Sequence, residues 1–410
     1  IMNRLNLIMM AFAFVLSAKA EDKTLKVNVA NPSSDARTAV PVVVPLAENY
    51  TSALVKLGDK EIPCQLDDLN DDGTFDELSF LTDMKKKEKQ TFTVVLSTQG
   101  EPRKYPNQTY GYLGIRDRGA KNQKHQQIKS VTFPKETNPY NYIYPHGAVM
   151  ENDMVGFRVY CDHRQSIDYY GHRQHKRDVK ETGFYTNDEQ RAAGYGEDVL
   201  YTGSTYGCGA LHGWDGKNAI MFENVRNRTQ TVVCEGPVRC ILDITNKGWR
   251  PYEGCKPLDI TTRYILYYGH RDVEVQVRFS RNVADVPLST GIVDIVEGSE
   301  EFTDKAGLRG DWGRACAGNN PKVYDTITVG LGVYVPKQYY KADSHFTDGK
   351  ERLPNQAYVQ VVGTDTDRLH YWFNATCDIE TFGFPDKEAW FDYLKKWKKE
   401  LEKPAVITIN

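Results

Sequence analysis

Past residue 20 the chain has no apolar run long enough to cross a bilayer, which excludes a helical membrane span. It has no excess of basic residues: 52 Lys+Arg stand against 55 Asp+Glu, a formal net charge of −3. A general nucleic-acid binder must neutralise many phosphates, so that class is excluded too. The eight cysteines form no CxxC pair and no compact framework, which removes a zinc ribbon and a small disulfide scaffold together. No Gly-x-Ser-x-Gly elbow closes around Gly203-Ser204, which disfavours a serine hydrolase. The Gly- and Tyr-rich stretch from Gly194 to Gly209 lacks the Lys-Ser/Thr ending of a phosphate loop. There is no repeat of about 20–50 residues and no low-complexity tract.

What is present is a 410-residue chain, 40% hydrophobic, with ample length for a packed core and for more than one domain. Its first twenty residues read as a signal peptide: Arg4, the mostly apolar stretch Leu5 to Leu16, then Ala18-Lys19-Ala20 as the small-x-small cleavage site. The expected product is an exported protein, periplasmic or extracellular, without a lipid anchor because no cysteine follows Ala20. Export permits disulfides. The widely spaced cysteines point to at least one structural bridge or to several buried thiols, and away from a catalytic thiol.

Alternation of period two marks strands at Leu25, Val27 and Val29, at Phe92, Val94 and Leu96, at Val273 to Phe279 and at Ile327 to Val335. These predict a mainly β protein. A small β module is expected over 21–100, a linker and loop region over 101–141, and a large antiparallel domain over 142–410. Helical rhythm is clear once: Pro385-Asp386 opens a segment with Trp390, Phe391, Leu394, Trp397 and Leu401 on one face, ended by Pro404. It is expected to dock on a sheet.

The pattern from Asp68 to Glu77 places oxygen ligands at Asp68, Asn70 and Asp72, then Gly73 for a tight turn and Asp76 as a closing acid. A hard cation needs that spacing, and calcium in a structural role is one reading. Ser79 stands where an EF-hand has its bidentate Glu. The other reading is an acidic β-turn without metal.

A second concentration runs from His146 to His175, holding four of the nine histidines together with Arg158, Arg164, Arg173 and several tyrosines. Arginine can grip a carboxylate through two parallel hydrogen bonds, tyrosine can stack on a sugar face, and histidine moves protons near neutral pH. This composition suits an acidic sugar. His172, Arg173, His175, Lys176 and Arg177 read equally as a solvated loop. His163, Arg164 and Asp168 follow the strand-like Phe157–Tyr160 and so lie near a rigid element. Tyr195 and Glu197 sit in the following Gly-rich loop, where backbone can approach a ligand closely or simply turn between strands.

Several motifs together resemble a bacterial family of unknown function. They are Val27-Asn-Val-Ala-Asn-Pro32 with Arg37, Asp76-Glu77-Leu78, Gly156-Phe157-Arg158-Val-Tyr160 through Ile167-Asp168, Gly310-Asp311-Trp312-Gly313, and Tyr371-Trp372-Phe373 before the last helix. The family is similar to exported proteins encoded in polysaccharide-utilisation clusters, often beside unsaturated glucuronyl hydrolases. The resemblance implies a galactose-mutarotase-like β-supersandwich acting on uronate-containing oligosaccharides as a lyase or dehydratase. It supplies no residue roles.

Chemistry supplies those. Elimination across C4 and C5 of a uronate needs the carboxylate neutralised, the C5 proton removed and the departing oxygen protonated. The candidates are Arg158 or Arg164 for the carboxylate, His146 or His163 as base and Tyr169 or Tyr170 as acid. Asp168, Tyr195 and Glu197 are further contacts to the sugar. Two alternatives stand beside this: a glycoside hydrolase with a carboxyl pair drawn from Asp153, Asp168, Glu197 and Asp198, and a non-catalytic glycan binder.

Overall fold

The structure is a computed structural model that describes residues 22–117, 125–295, 297–318, 322, 324–347 and 356–410. The expected signal peptide lies outside the described residues. Among the described residues the chain is mainly β, arranged in several antiparallel sheets with a single long helix near the end of the sequence.

The largest sheet has nine strands, in the spatial order Ser130–Pro134, Asn227–Cys234, Arg239–Trp249, Leu258–Tyr267, Asp272–Phe279, Arg368–Cys377, Ile327–Tyr334, Leu308–Ala315 and Glu297–Thr303. Its alternating residues, such as Val273, Val275 and Val277, are fully buried. Two smaller sheets cover one of its faces. One has six strands and centres on Ile143–Glu151, Val155–Tyr160 and Ile167–Gly171; the other has five and centres on Leu288–Val293 and Gln356–Val362. All three contribute to one continuous core. The two covering sheets are stitched edge to edge at Gly207, whose carbonyl accepts from Val293 N–H at 2.8 Å, while Cys208 N–H donates to the Ile167 carbonyl at 2.9 Å. This is a β-supersandwich.

A separate core gathers Val27, Val42, Val55, Leu78, Phe80, Phe92 and Val94 from the strands between residues 22 and 97. These strands form two small sheets, and Val406–Ile409 pairs with Asp22–Ala30 at the edge of one of them. The unit joins the large sheet through an apolar cluster of Leu69 and Leu81 with Val238, Ile241, Ile265 and Tyr267, and through Arg239, which lies between Asp67, at 2.8 Å, and Glu77, at 2.6 Å. The stretch expected as a linker is different in the structure. It contains the strands Tyr110–Arg116, His125–Gln127 and Ser130–Pro134, which extend the six-stranded and nine-stranded sheets. These strands are short or poor in apolar alternation because they lie at or next to sheet edges, where only some positions face the core.

The helix Lys387–Glu402 begins where Asp386 accepts from Ala389 N–H at 2.8 Å, capping a free backbone donor. It buries Trp390, Leu394 and Trp397 on the outer face of the nine-stranded sheet. The sheet makes room with glycine: a Cβ on Gly310 would stand 2.5 Å from Leu394 Cδ1. The Gly-Asp-Trp-Gly motif is thus partly a seat for the helix.

Candidate functional site

The outer face of the six-stranded sheet carries the densest group of aromatic and titratable side chains. Its centre is a break in Ile143–Glu151. The register against Tyr110–Arg116 shifts between Tyr144 and Val149, the Tyr144–Pro145 peptide is cis, and His146 has φ 67°. Proline cannot donate to a ladder, and a bulge re-aims the side chains within it. Gly147 has to be glycine, because a Cβ there would stand 1.9 Å from the Val159 carbonyl oxygen. The result turns His146 outward onto its neighbours.

The His146 ring stacks on Tyr140, with centroids 3.9 Å apart and planes 9° from parallel. Its Nδ1 lies 2.6 Å from the Tyr140 carbonyl. A carbonyl only accepts, so Nδ1 carries the proton and Nε2 presents a lone pair. Burial, helped by the charges of Arg158, Arg116 and Arg164, holds the imidazole below its usual range. Tyr185 meets His146 edge-on at 6.2 Å and is 44% exposed. Tyr160 lies 6.0 Å from Tyr140 in a parallel arrangement. At the far rim, His125 stacks on Tyr144 at 3.7 Å, and the Arg116 guanidinium stands 5.6 Å from the same ring.

Arg158 lies beneath this layer, 2% exposed. It donates to the Pro145 carbonyl at 3.1 Å, to the Tyr185 hydroxyl at 2.8 Å and to the Tyr160 hydroxyl at 2.9 Å. It also pairs with Asp168 and, at 3.4 Å, with Asp198. Burial pushes both carboxyls up, Asp198 well above the usual range because Asp168 lies beside it, with Arg158 opposing in each case. Arg158 is therefore a buried counter-ion that holds two tyrosine hydroxyls and two carboxyls in place.

Several expected roles change accordingly. Arg158 is not free for a substrate carboxylate, and Asp168, 1% exposed, cannot reach a sugar. Tyr169 points the other way, into the core, and its hydroxyl donates to Glu380. Tyr170 faces outward but is roofed by Val179 and Phe184, and its hydroxyl donates to the Gly196 carbonyl at 2.7 Å. Neither tyrosine can serve as the acid. His163 stands apart from the cluster, its Nε2 3.7 Å from Glu223. Arg164 does belong to it, 4.8 Å from the Tyr160 ring, yet it already grips Asp162 at 2.7 and 2.9 Å. Glu197 is held by Arg173 and Arg191, and Tyr195 stacks under the Lys176 ammonium at 3.7 Å while its carbonyl accepts from Arg173. Both fasten the covering segment. Of the carboxyls weighed for a hydrolytic pair, Asp153 is bound to His175 at 3.0 Å.

Arg116, Tyr140 and Tyr185 are not marked by the sequence. Arg116 makes no ion pair among the described residues, and its Nε is buried without a hydrogen-bond partner. A signal existed only in the density of tyrosine between residues 140 and 144.

The acidic loop lies elsewhere, against the nine-stranded sheet, where Asp71 pairs with Lys129. Its oxygens are used within the turn. Asp68 accepts from the N–H groups of Asp71 at 2.7 Å and Gly73 at 2.9 Å, Asn70 from Asp72 at 2.9 Å, Asp72 from Thr74 at 2.9 Å, and Asp76 from Leu69 at 2.7 Å. Such side-chain-to-backbone bonds make the turn by themselves. Among the described residues, the carboxylates of Asp68, Asp72 and Asp76 do not converge on one point. Among the described residues no disulfide joins the eight cysteines, and burial pushes Cys64 up to about 11.

Among solved structures the chain is similar to an alpha-mannosidase from Enterococcus faecalis V583, with a TM-score of 0.43 and 11% identity over 94% of this chain and 46% of that one. It is similar as well to a glycosyl hydrolase family 38 protein from Enterococcus faecalis, with a TM-score of 0.45 and 11% identity over 94% of this chain and 47% of that one. The chain thus spans less than half the length of either. It has no match among curated protein sequences. Residues 29–407 match the family described as Domain of unknown function (DUF4861), and the chain belongs to that family.

Proposed function

We propose that the Tyr140–His146–Tyr185 cluster binds a uronate-containing oligosaccharide and eliminates across C4 and C5 of the uronate. The observation that carries this reading is the state of His146: a neutral imidazole, its Nδ1–H committed to the Tyr140 carbonyl, with Nε2 making no hydrogen bond among the described residues. That is a positioned base at neutral pH.

Tyr185 replaces Tyr169 and Tyr170 as the acid. Its hydroxyl accepts from Arg158, so its own proton is available, and burial pushes it up to about 12, which keeps it protonated. Arg158 then stabilises the tyrosinate as the proton leaves. Arg116 is the cation for the substrate carboxylate, since Arg158 and Arg164 are already paired. In the step, His146 Nε2 takes the C5 proton, the C–H electron pair forms the C4=C5 double bond, and the C4–O4 bond breaks as O4 takes the Tyr185 proton. Return of the proton from imidazolium to tyrosinate through solvent resets the site.

The test is a panel of uronate oligosaccharides followed by ultraviolet absorbance and mass. Elimination gives a new absorbing double bond, with loss of water for a dehydratase or chain cleavage without added water for a lyase. Cleavage with added water and no absorbance, or binding without turnover, overturns the proposal.

A further inference from the structure

A second polar cluster lies on the same side of the sheet, fully enclosed. Glu151 ends the strand that carries His146, His172 follows Ile167–Gly171, and Asp178 precedes the short helix Val179–Thr182. Glu151 and His172 are 0% exposed and Asp178 is 1% exposed. One ligand atom from each of the three lies within 4.8 Å of the others.

Each side chain is held by one atom and presents another. Glu151 Oε1 accepts from the N–H groups of Asp178 at 2.6 Å and Val179 at 2.9 Å, and Oε2 has no partner. Asp178 Oδ2 accepts from Gly196 N–H at 3.0 Å, and Oδ1 has no partner. His172 Nδ1 reaches the Lys176 carbonyl at 3.1 Å and must carry the proton there, so the unpartnered Nε2 is a lone pair.

Glu151 Oε2, Asp178 Oδ1 and His172 Nε2 thus make no hydrogen bond among the described residues, with Nε2 3.3 Å from Glu151 Oε1 and the Tyr170 hydroxyl beside Asp178, and interiors rarely leave buried polar atoms so. The nearby arginines do not supply a donor: Arg177 donates to the carbonyls of Asn107 and Thr109, and Arg271 to Glu380. A single proton shared between two of the three atoms would still leave the third. A dication would satisfy all three, and the two carboxylates would balance its charge.

We propose that Glu151, His172 and Asp178 bind one divalent cation of the zinc class, which fastens the segment from Asp178 to Asp198 onto the sheet that carries His146. An imidazole nitrogen with two carboxylate oxygens suits a borderline ion better than calcium, which prefers an all-oxygen shell. The Lys176 carbonyl behind His172 is the outer partner that such ligands use to fix their tautomer. The segment so fastened brings Tyr185 and Asp198 to the aromatic cluster. The inference does not depend on the sugar reading.

Elemental analysis of the full chain, purified without chelators and dialysed against zinc, tests it. About one zinc ion per chain is expected, and stripping it with a strong chelator should lower the melting temperature by about 5 °C or more. Zinc should restore the melt and calcium should not. His172→Ala should retain no ion and lose the response to chelator; should that variant not fold, zinc titration of the stripped wild-type chain decides alone. A chain that takes up no zinc and whose melt zinc does not move overturns the proposal. So does full retention of the ion by His172→Ala, which would place it elsewhere.

Discussion

The flat face of the His146 imidazole rests on the Tyr140 ring at 3.9 Å, and the same tyrosine's carbonyl holds its Nδ1 at 2.6 Å. One residue therefore sets both the orientation and the tautomer of the proposed base. His146→Ala should lower turnover by about 10²- to 10⁴-fold with smaller effects on binding. Tyr140→Phe keeps the ring and the carbonyl and should stay within about two-fold of wild type, whereas Tyr140→Ala should lose about ten-fold in kcat through misorientation. Steady-state kinetics on a uronate oligosaccharide check the order.

The pH profile has a defined sign. His146 must be neutral to accept a proton, and burial holds its folded value below the usual 6.5. Activity should be full above 6.5 and fall only as pH drops through that lowered value. An acid limb in kcat/KM centred above 6.5 would contradict the assignment.

Arg158 is expected to fail in a different way from a substrate-binding arginine. Arg158→Met leaves Asp168 and Asp198 buried without their counter-ion, which should cost about 3–5 kcal/mol of stability at neutral pH. The two carboxyls have raised folded values, so protonation relieves them and the deficit should shrink as pH is lowered. Denaturant melts of wild type and variant at pH 5 and pH 8 check this. Unchanged stability with a raised KM would instead mark Arg158 as a substrate contact.

Asp311, in the Gly-Asp-Trp-Gly motif, is fully buried and is pushed up to about 7 by burial, with Asp294 adding to the effect. Its folded value lies above its unfolded value of 3.8. Its contribution is therefore complete below 3.8 and is lost as pH rises through about 7, by ~2–4 kcal/mol. Asp311→Asn should flatten that part of the stability profile while keeping an acceptor for Ile295 N–H. Melting temperatures between pH 4 and pH 8 measure it.

The acidic loop permits a separate test. Asp68 accepts backbone N–H groups of Asp71 and Gly73, so Asp68→Ala should destabilise by about 1 kcal/mol with or without calcium. A variant whose deficit appears only in the presence of calcium would assign an ion to the loop.

Much of the architecture was legible because buried sheets write themselves as alternation: Val273 to Val277 and Ile327 to Val333 are strands, and the Trp390–Trp397 face is the helix contact. The candidate site was legible only by neighbourhood. His146 and Arg164 reach the cluster, but Tyr169 and Tyr170 are adjacent on one strand and so face opposite ways, one into the core and one under Phe184. Tyr140 lies in a short 3-10 turn and Tyr185 just beyond a four-residue helix. No periodicity announces such positions, and their convergence depends on a bulge at Pro145 and on how the segment from His172 to Asp198 folds back.

The pairing of Val406–Ile409 with Asp22–Ala30 sets an order of events during synthesis. The edge of the first small sheet stays open while the whole supersandwich is being made, because the strand that covers it comes after the helix. Until then Asp22–Ala30 offers unpaired backbone groups to any passing strand. The alternating surface of that strand, with Lys23 and Lys26 at exposed positions, is a safeguard for a nascent chain as much as a feature of the finished one.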